Sequence, residues 1–93
     1  MSLKKFYVVG VSYKKAPLST REDFSLSIAS SKALLIHAKK IGIPNLLVNS
    51  TCNRTELFGF SDDPKSFIKL LCLFSKGKTD VFKKLGYIIE GSK

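Results

Sequence analysis

Leu46-Leu47-Val48-Asn49-Ser50-Thr51-Cys52-Asn53-Arg54-Thr55-Glu56-Leu57-Phe58-Gly59-Phe60 is the stretch on which the reading of this chain turns. Two short apolar runs, Leu46 to Ser50 and Thr55 to Phe60, have the composition of strands. In the second, alternation puts Glu56, Phe58 and Phe60 on one face and Leu57 on the other. The connection between them holds no Gly or Pro, the usual turn formers. Two hydroxyls, a thiol, an amide and a guanidinium occupy Ser50 to Arg54 instead. A loop of that chemistry at the ends of two strands is a rigid mount for side chains that face a ligand.

Working outward, Lys5 to Tyr13 is rich in Phe, Tyr and Val and reads as a strand, which Ala16-Pro17 ends. Ser25 to Ile41 reads as a helix, capped by Ser25 or Ser27 and stopped by Gly42. Ile28, Leu34, Leu35, Ala38 and Ile41 form its apolar stripe. Ile43-Pro44-Asn45 is a turn. Asp63-Pro64 opens a second helix, with Asp63 as cap and Phe67, Ile68, Leu70, Leu71 and Phe74 on its apolar face. Thr79 to Leu85 is a short helix closed by Gly86, and Tyr87 to Glu90 is a last strand. The order β-α-β-β-α-(α)-β predicts an α+β, ferredoxin-like fold: a mostly antiparallel sheet with helices on one face.

The chain has 93 residues, room for one domain spanning residues 1–93. Sixteen basic residues against 7 acidic ones give a net charge of +9, which biases the surface toward polyanions. No run of about 18 apolar residues offers a membrane span. The apolar stretch after the basic start stops at Val11, too short for a secretory leader. Cys52 and Cys72 make no disulfide framework, so both read as reduced thiols in a cytoplasmic protein.

Within the loop, a thiol near a fixed cation is pushed toward thiolate, the nucleophilic form. Arg54 stands two residues from Cys52 and is one source of that charge. Alternatively its guanidinium holds a carboxylate. All the other basic residues except Arg21 are lysines, the usual choice for a solvated surface, so the two arginines read as having defined partners. A lone loop cysteine is also often a small buried filler, and that reading stays open from chemistry alone. Cys72, among Leu70, Leu71, Leu73 and Phe74, reads as core filler. His37 reads as structural, because no second His and no ligand spacing accompany it. No metal is expected. The Lys pairs at 4–5, 14–15, 39–40 and 83–84 read as solvated edges, with Lys14 and Lys15 placed best to steer a polyanion.

Ser50-Thr51-Cys52-Asn53-Arg54-Thr55-Glu56 resembles the signature of the glutamyl-tRNA reductase family. Val9-Gly10-Val11-Ser12-Tyr13-Lys14-Lys15-Ala16-Pro17 resembles that family's first strand and turn. Arg21-Glu22 falls at its Arg-Glu pair, and Tyr87-Ile88-Ile89-Glu90-Gly91 at the strand and turn before its next helix. The resemblance implies that Cys52 is the catalytic nucleophile. It attacks the glutamyl ester of glutamyl-tRNA, and the thioester is reduced by NADPH to glutamate-1-semialdehyde for tetrapyrrole (porphyrin) synthesis. It implies that Thr51, Cys52, Asn53 and Arg54 bind the glutamyl group, with Arg54 against its carboxylate. It also implies a homodimer held by a helical domain. Neither that domain nor the NADPH-binding domain has a counterpart in residues 1–93, where no G-x-G-x-x-G occurs. On this reading the chain is the N-terminal part of the catalytic domain and transfers no hydride alone.

Two positions depart from the family pattern: Tyr13 stands where it has His, and Lys15 where it has Thr. Tyr keeps a hydrogen-bonding tip but is no base near neutral pH. The competing reading is a non-enzymatic, basic RNA-binding module, suggested by Leu57-Phe58-Gly59-Phe60. It requires Phe58 and Phe60 to be exposed on one sheet face.

Overall fold

The β-branched and aromatic run at the start of the chain forms the strand around which everything else is arranged. The structure, a computed structural model, describes residues 4–91; the expected domain limits at 1 and 93 lie outside the described residues. In chain order the elements are β1 (Lys5–Ser12), α1 (Leu18–Phe24), α2 (Ile28–Lys40), β2 (Leu47–Ser50), β3 (Arg54–Ser61), α3 (Lys65–Phe74), α4 (Thr79–Leu85) and β4 (Tyr87–Gly91). The sheet order is β2-β3-β1-β4. All three pairings are antiparallel, so the sheet expected to be mostly antiparallel is antiparallel throughout.

Register sorts the side chains. Val9 lies opposite Leu57 and Val11 opposite Thr55. These residues are fully or almost fully buried, together with Leu34 and Ala38 of α2, Phe67 and Leu71 of α3, and Phe82 of α4. The helices therefore cover one face, as the pattern required. The other face carries Phe6, Val8, Phe58 and Phe60 on its central strands, flanked by Leu47 and Ile89. No helix covers it. Phe60 is 55% exposed, Phe58 is half-buried, and Phe6 meets the Phe60 ring edge-on at 5.4 Å between centroids. The condition set by the RNA-binding reading is thus met at Phe60 and only in part at Phe58.

Three expectations need correction. Leu18–Phe24 forms a helix that the apolar pattern did not announce. Within it only Phe24 is buried, packed against Phe82 at 6.1 Å and against the backbone at Gly77, where an added Cβ would lie 2.1 Å from the ring. One buried anchor in seven residues leaves no period to read. The next helix starts at Ile28, not Ser25. Ser27 is its cap, accepting from the Ser30 N–H at 3.0 Å, while Ser25 closes α1 by donating its hydroxyl to the Glu22 carbonyl at 2.7 Å. With that start, Ile28 (79% exposed) and Ile41 leave the stripe for solvent, and Leu34, Leu35 and Ala38 carry the contact. Gly42 stops the helix as expected, with φ +92°. Finally α3 begins one residue later than read; Asp63 still caps, accepting from the Lys65 N–H at 3.0 Å, with Pro64 already in helical conformation.

Leu34→Ala removes a fully buried side chain between α2 and the sheet and should cost about 2–5 kcal/mol. Ile28→Ala should change stability by less than about 0.5 kcal/mol. Urea unfolding of the two variants separates them: equal losses would mean that α2 packs in a different register.

Candidate functional site

The loop between β2 and β3 is tied down from three directions. Its own turn is closed by Thr51, whose N–H donates to the Arg54 carbonyl at 2.8 Å. The Thr51 hydroxyl accepts from the N–H groups of Asn53 (3.2 Å) and Arg54 (3.3 Å), a side-chain substitute for the missing Gly or Pro. Below it, Ser50 Oγ accepts from the Leu26 N–H at 3.0 Å and shares a bond with Thr55 Oγ1 at 2.9 Å. On one flank Arg21 Nη1 donates to the Cys52 carbonyl at 3.1 Å. On the other the Tyr13 N–H donates to the Asn53 carbonyl at 2.8 Å. Between these anchors the Cys52 thiol is exposed. Cys72 is half-buried on α3 against the core, and burial pushes its thiol up from the ordinary range.

The guanidinium fixed to the Cys52 loop is therefore that of Arg21, not Arg54. Arg21 reaches it from α1, the helix that the sequence pattern missed, and its Nε is buried without a hydrogen-bond partner. A cleft of about 350 Å³ lies between α1 and the loop, lined by Leu18, Arg21, Leu26, Ser50, Thr51 and Cys52 among others. Of the expected site residues, Thr51 and Cys52 line this cleft. Arg54 does not line it.

Arg54 belongs to the open sheet face. Its guanidinium carbon lies 5.9 Å from the centre of the Tyr13 ring, a cation–π contact of the kind worth about 0.5–1 kcal/mol at an exposed site. So Tyr13, where the resemblance has His, is a shelf for Arg54. Arg54 Nη1 also stands 3.7 Å from Glu56 Oε2. That distance is an ion pair but exceeds hydrogen-bond range, so it leaves guanidinium N–H groups free for another acceptor. Glu56 is 7% exposed, and the Tyr87 hydroxyl donates to its Oε2. Burial first, and then Glu56, hold the Tyr87 phenol protonated well above the usual tyrosine range. Glu56 and Tyr87 were not singled out in the sequence as site residues. The available signal was a carboxylate in the middle of an otherwise apolar strand, which needs partners if it is buried.

His37 is half-buried at the end of α2 and packs on Phe74 of α3, with ring centroids 5.7 Å apart, so it joins two helices. Lys14 and Lys15 lie exposed in the turn that touches the Cys52 loop, at the sheet end where they were expected.

The model of the family described as glutamyl-tRNAGlu reductase, N-terminal domain, matches residues 9–93. The glutamyl-tRNA reductase of Christiangramia forsetii is 46% identical over 90 residues, covering 97% of this chain and 22% of that protein. That of Flavobacterium psychrophilum is 46% identical over 88 residues, covering 95% of this chain and 21% of that protein. The chain thus spans about a fifth of the length of the curated relatives it matches. Among solved structures, the glutamyl-tRNA reductase of Methanopyrus kandleri superposes with a TM-score of 0.68 at 16% identity, over 96% of this chain and 20% of that one. This likeness supports the fold alone.

In native protein near neutral pH, iodoacetamide should label the exposed Cys52 faster than the half-buried Cys72, whose thiol burial pushes up and so leaves less thiolate. Labelling of Cys72 should go on rising with pH past the ordinary thiol range before it levels off, and the difference should vanish in denaturant. Site-resolved mass spectrometry reads both rates; equal native rates would contradict the geometry of the loop.

Proposed function

This chain belongs to the glutamyl-tRNA reductase N-terminal domain family, and on that premise we propose that Cys52 is the nucleophile of glutamyl-tRNA reduction. The thiolate attacks the ester carbonyl that joins glutamate to the 3′ end of its tRNA. A C–S bond forms, the tetrahedral oxyanion collapses, the C–O bond to the ribose breaks, and tRNA leaves as the alcohol after taking a proton. The thioester that remains accepts hydride far more readily than a carboxylate, so one hard step becomes two easier ones. One observation carries the reading: the seven-residue motif, Ser50 to Glu56, folds as the end of β2, a loop at 51–53 and the start of β3, the loop being clamped from three sides with Cys52 exposed. A thiol held in this way loses little freedom on reaching the carbonyl.

Arg54 takes the glutamyl side-chain carboxylate, the one carboxylate left free in the ester. Thr51, from the cleft beside α1, and Asn53, from the loop, also contact the glutamyl group in this reading, and Lys14 and Lys15 draw the tRNA end toward the loop. NADPH is the hydride donor in this reading. The residues here do not build its site: Gly10, Gly42, Gly59, Gly77, Gly86 and Gly91 have no dinucleotide-binding spacing. The chemistry assigned to this chain therefore stops at the thioester. Hydride transfer and homodimerisation belong to a longer protein that works in the cytoplasm on glutamate-1-semialdehyde formation for tetrapyrrole synthesis. Among the described residues no group of three or more His, Cys, Asp or Glu side chains is placed to hold a metal ion.

A second reading, a non-enzymatic RNA-binding module, is favoured by the uncovered Phe6, Phe58 and Phe60, the kind of sheet surface on which bases stack. It makes Phe60→Ala, not any change at Cys52, the damaging substitution for binding of unacylated single-stranded RNA.

In a full-length reductase carrying this domain, Cys52→Ser should abolish both product and the covalent glutamyl-enzyme, trapped without NADPH and released by hydroxylamine. Cys72→Ser should keep at least about half of the activity, as a packing change on a half-buried surface. Undiminished product from the Cys52 variant would overturn the nucleophile assignment.

A further inference from the structure

Across the middle of the sheet, one row of residues stands out. Tyr87 of β4 lies opposite Gly10 of β1, Gly10 opposite Glu56 of β3, and Glu56 opposite Asn49 of β2. All four are on the open face, at the end nearer the Cys52 loop. Tyr87 and Glu56 are two strands apart, yet the phenol hydroxyl reaches the carboxylate. It does so because Gly10 lies between them. A Cβ built at Gly10 would lie 2.9 Å from Glu56 Cγ and 2.2 Å from the Thr55 carbonyl oxygen. Glycine thus leaves the gap across which Tyr87 reaches Glu56.

Glu56 needs this support. Its side chain is about nine-tenths buried, and a carboxylate so placed is held charged only by partners. Two partners are present. Tyr87 donates a hydrogen bond to Oε2, and Arg54 supplies a positive charge 3.7 Å from the same oxygen. The arrangement has a direction: the phenol, placed by the pairing of β4 with β1, orients the carboxylate, and the carboxylate orients the guanidinium against the Tyr13 ring.

We propose that Tyr87 is a positioning residue for glutamyl recognition: reaching over Gly10, it fixes Glu56, and Glu56 aims Arg54 at the substrate's side-chain carboxylate. The inference rests on the reading that Arg54 meets that carboxylate, and it adds a residue from a strand outside the motif. Tyr87 does not touch the thiol or the reacting carbonyl. Its loss should therefore weaken substrate binding and carboxylate discrimination and leave the chemical step alone.

The test compares Tyr87→Phe, Glu56→Gln and the double variant in a full-length reductase carrying this domain, with Cys52→Ser measured alongside. Substrates are glutamyl-tRNA and the same tRNA carrying glutamine, whose side-chain amide has no charge. Tyr87→Phe should raise KM for glutamyl-tRNA about tenfold, which is about 1.4 kcal/mol, with kcat within about twofold. It should lower the preference for glutamyl over glutaminyl ester by a similar factor. The double variant should be no worse than Glu56→Gln alone, because Tyr87 acts through Glu56. Unchanged KM and preference in a folded Tyr87→Phe protein would overturn the proposal. So would a loss confined to kcat, or additive effects in the double variant. If Tyr87→Phe fails to fold, Glu56→Gln decides by itself: unchanged preference between the two esters refutes the chain of contacts. A Cys52→Ser enzyme that still makes product would instead sink the nucleophile reading, so the two failures are told apart.

Discussion

The pairing of β1 with β3 is the constraint on which the rest of the structure depends. β1 is central and bonds to β3 on one side and β4 on the other. Side chains alternate along a strand, so a single register decides two things together. It sends Val9, Val11, Thr55 and Leu57 under the helices, where they are buried. It also sends Gly10, Ser12, Arg54 and Glu56 to the open face, where the polar end of the sheet assembles. A slip of one residue would drive the carboxylate into the apolar core and the valines into solvent. Core burial therefore enforces the geometry of the candidate site.

The two halves of the site obey different physics. The Cys52 loop is held by neutral backbone and hydroxyl hydrogen bonds, each of modest net value near 1 kcal/mol, and by one charge-assisted bond from Arg21. Its precision comes from having anchors in α1, the turn after β1 and the segment before α2. The Arg54 side is held by a buried carboxylate, for which the cost of an unpaired charge is several kcal/mol. That cost keeps Tyr87, Glu56 and Arg54 together more firmly than their individual contacts would. The proposed nucleophile thus sits on the first half and the proposed carboxylate reader on the second, within a single hairpin.

The open face also has two ends. Its polar end carries Ser12, Arg54, Glu56 and Tyr87; its apolar end carries Phe6, Val8, Phe58 and Phe60. Aromatic exposure of this kind is unusual on a small monomeric surface and suits a partner surface.

What the amino-acid sequence determined by itself was whatever local chemistry controls. Alternation placed Glu56, Phe58 and Phe60 on one face and Leu57 on the other. Gly42 and Asp63 marked helix ends through a positive φ and a capping carboxylate. The run Ser50 to Glu56 carried its family by residue identity alone. Only the tertiary structure decided what depends on distant partners. Leu18–Phe24 is helical because Phe24 finds Phe82 and Gly77, far along the chain, and its own residues hold no period. Arg21 and Tyr13, separated from Cys52 in sequence, become its anchors. Tyr87 meets Glu56 because β4 pairs with β1 and Gly10 leaves the gap between them. Local propensity acts over a few residues, whereas strand pairing and burial act between segments, so site residues drawn from three strands and a short helix become visible only once the chain has folded.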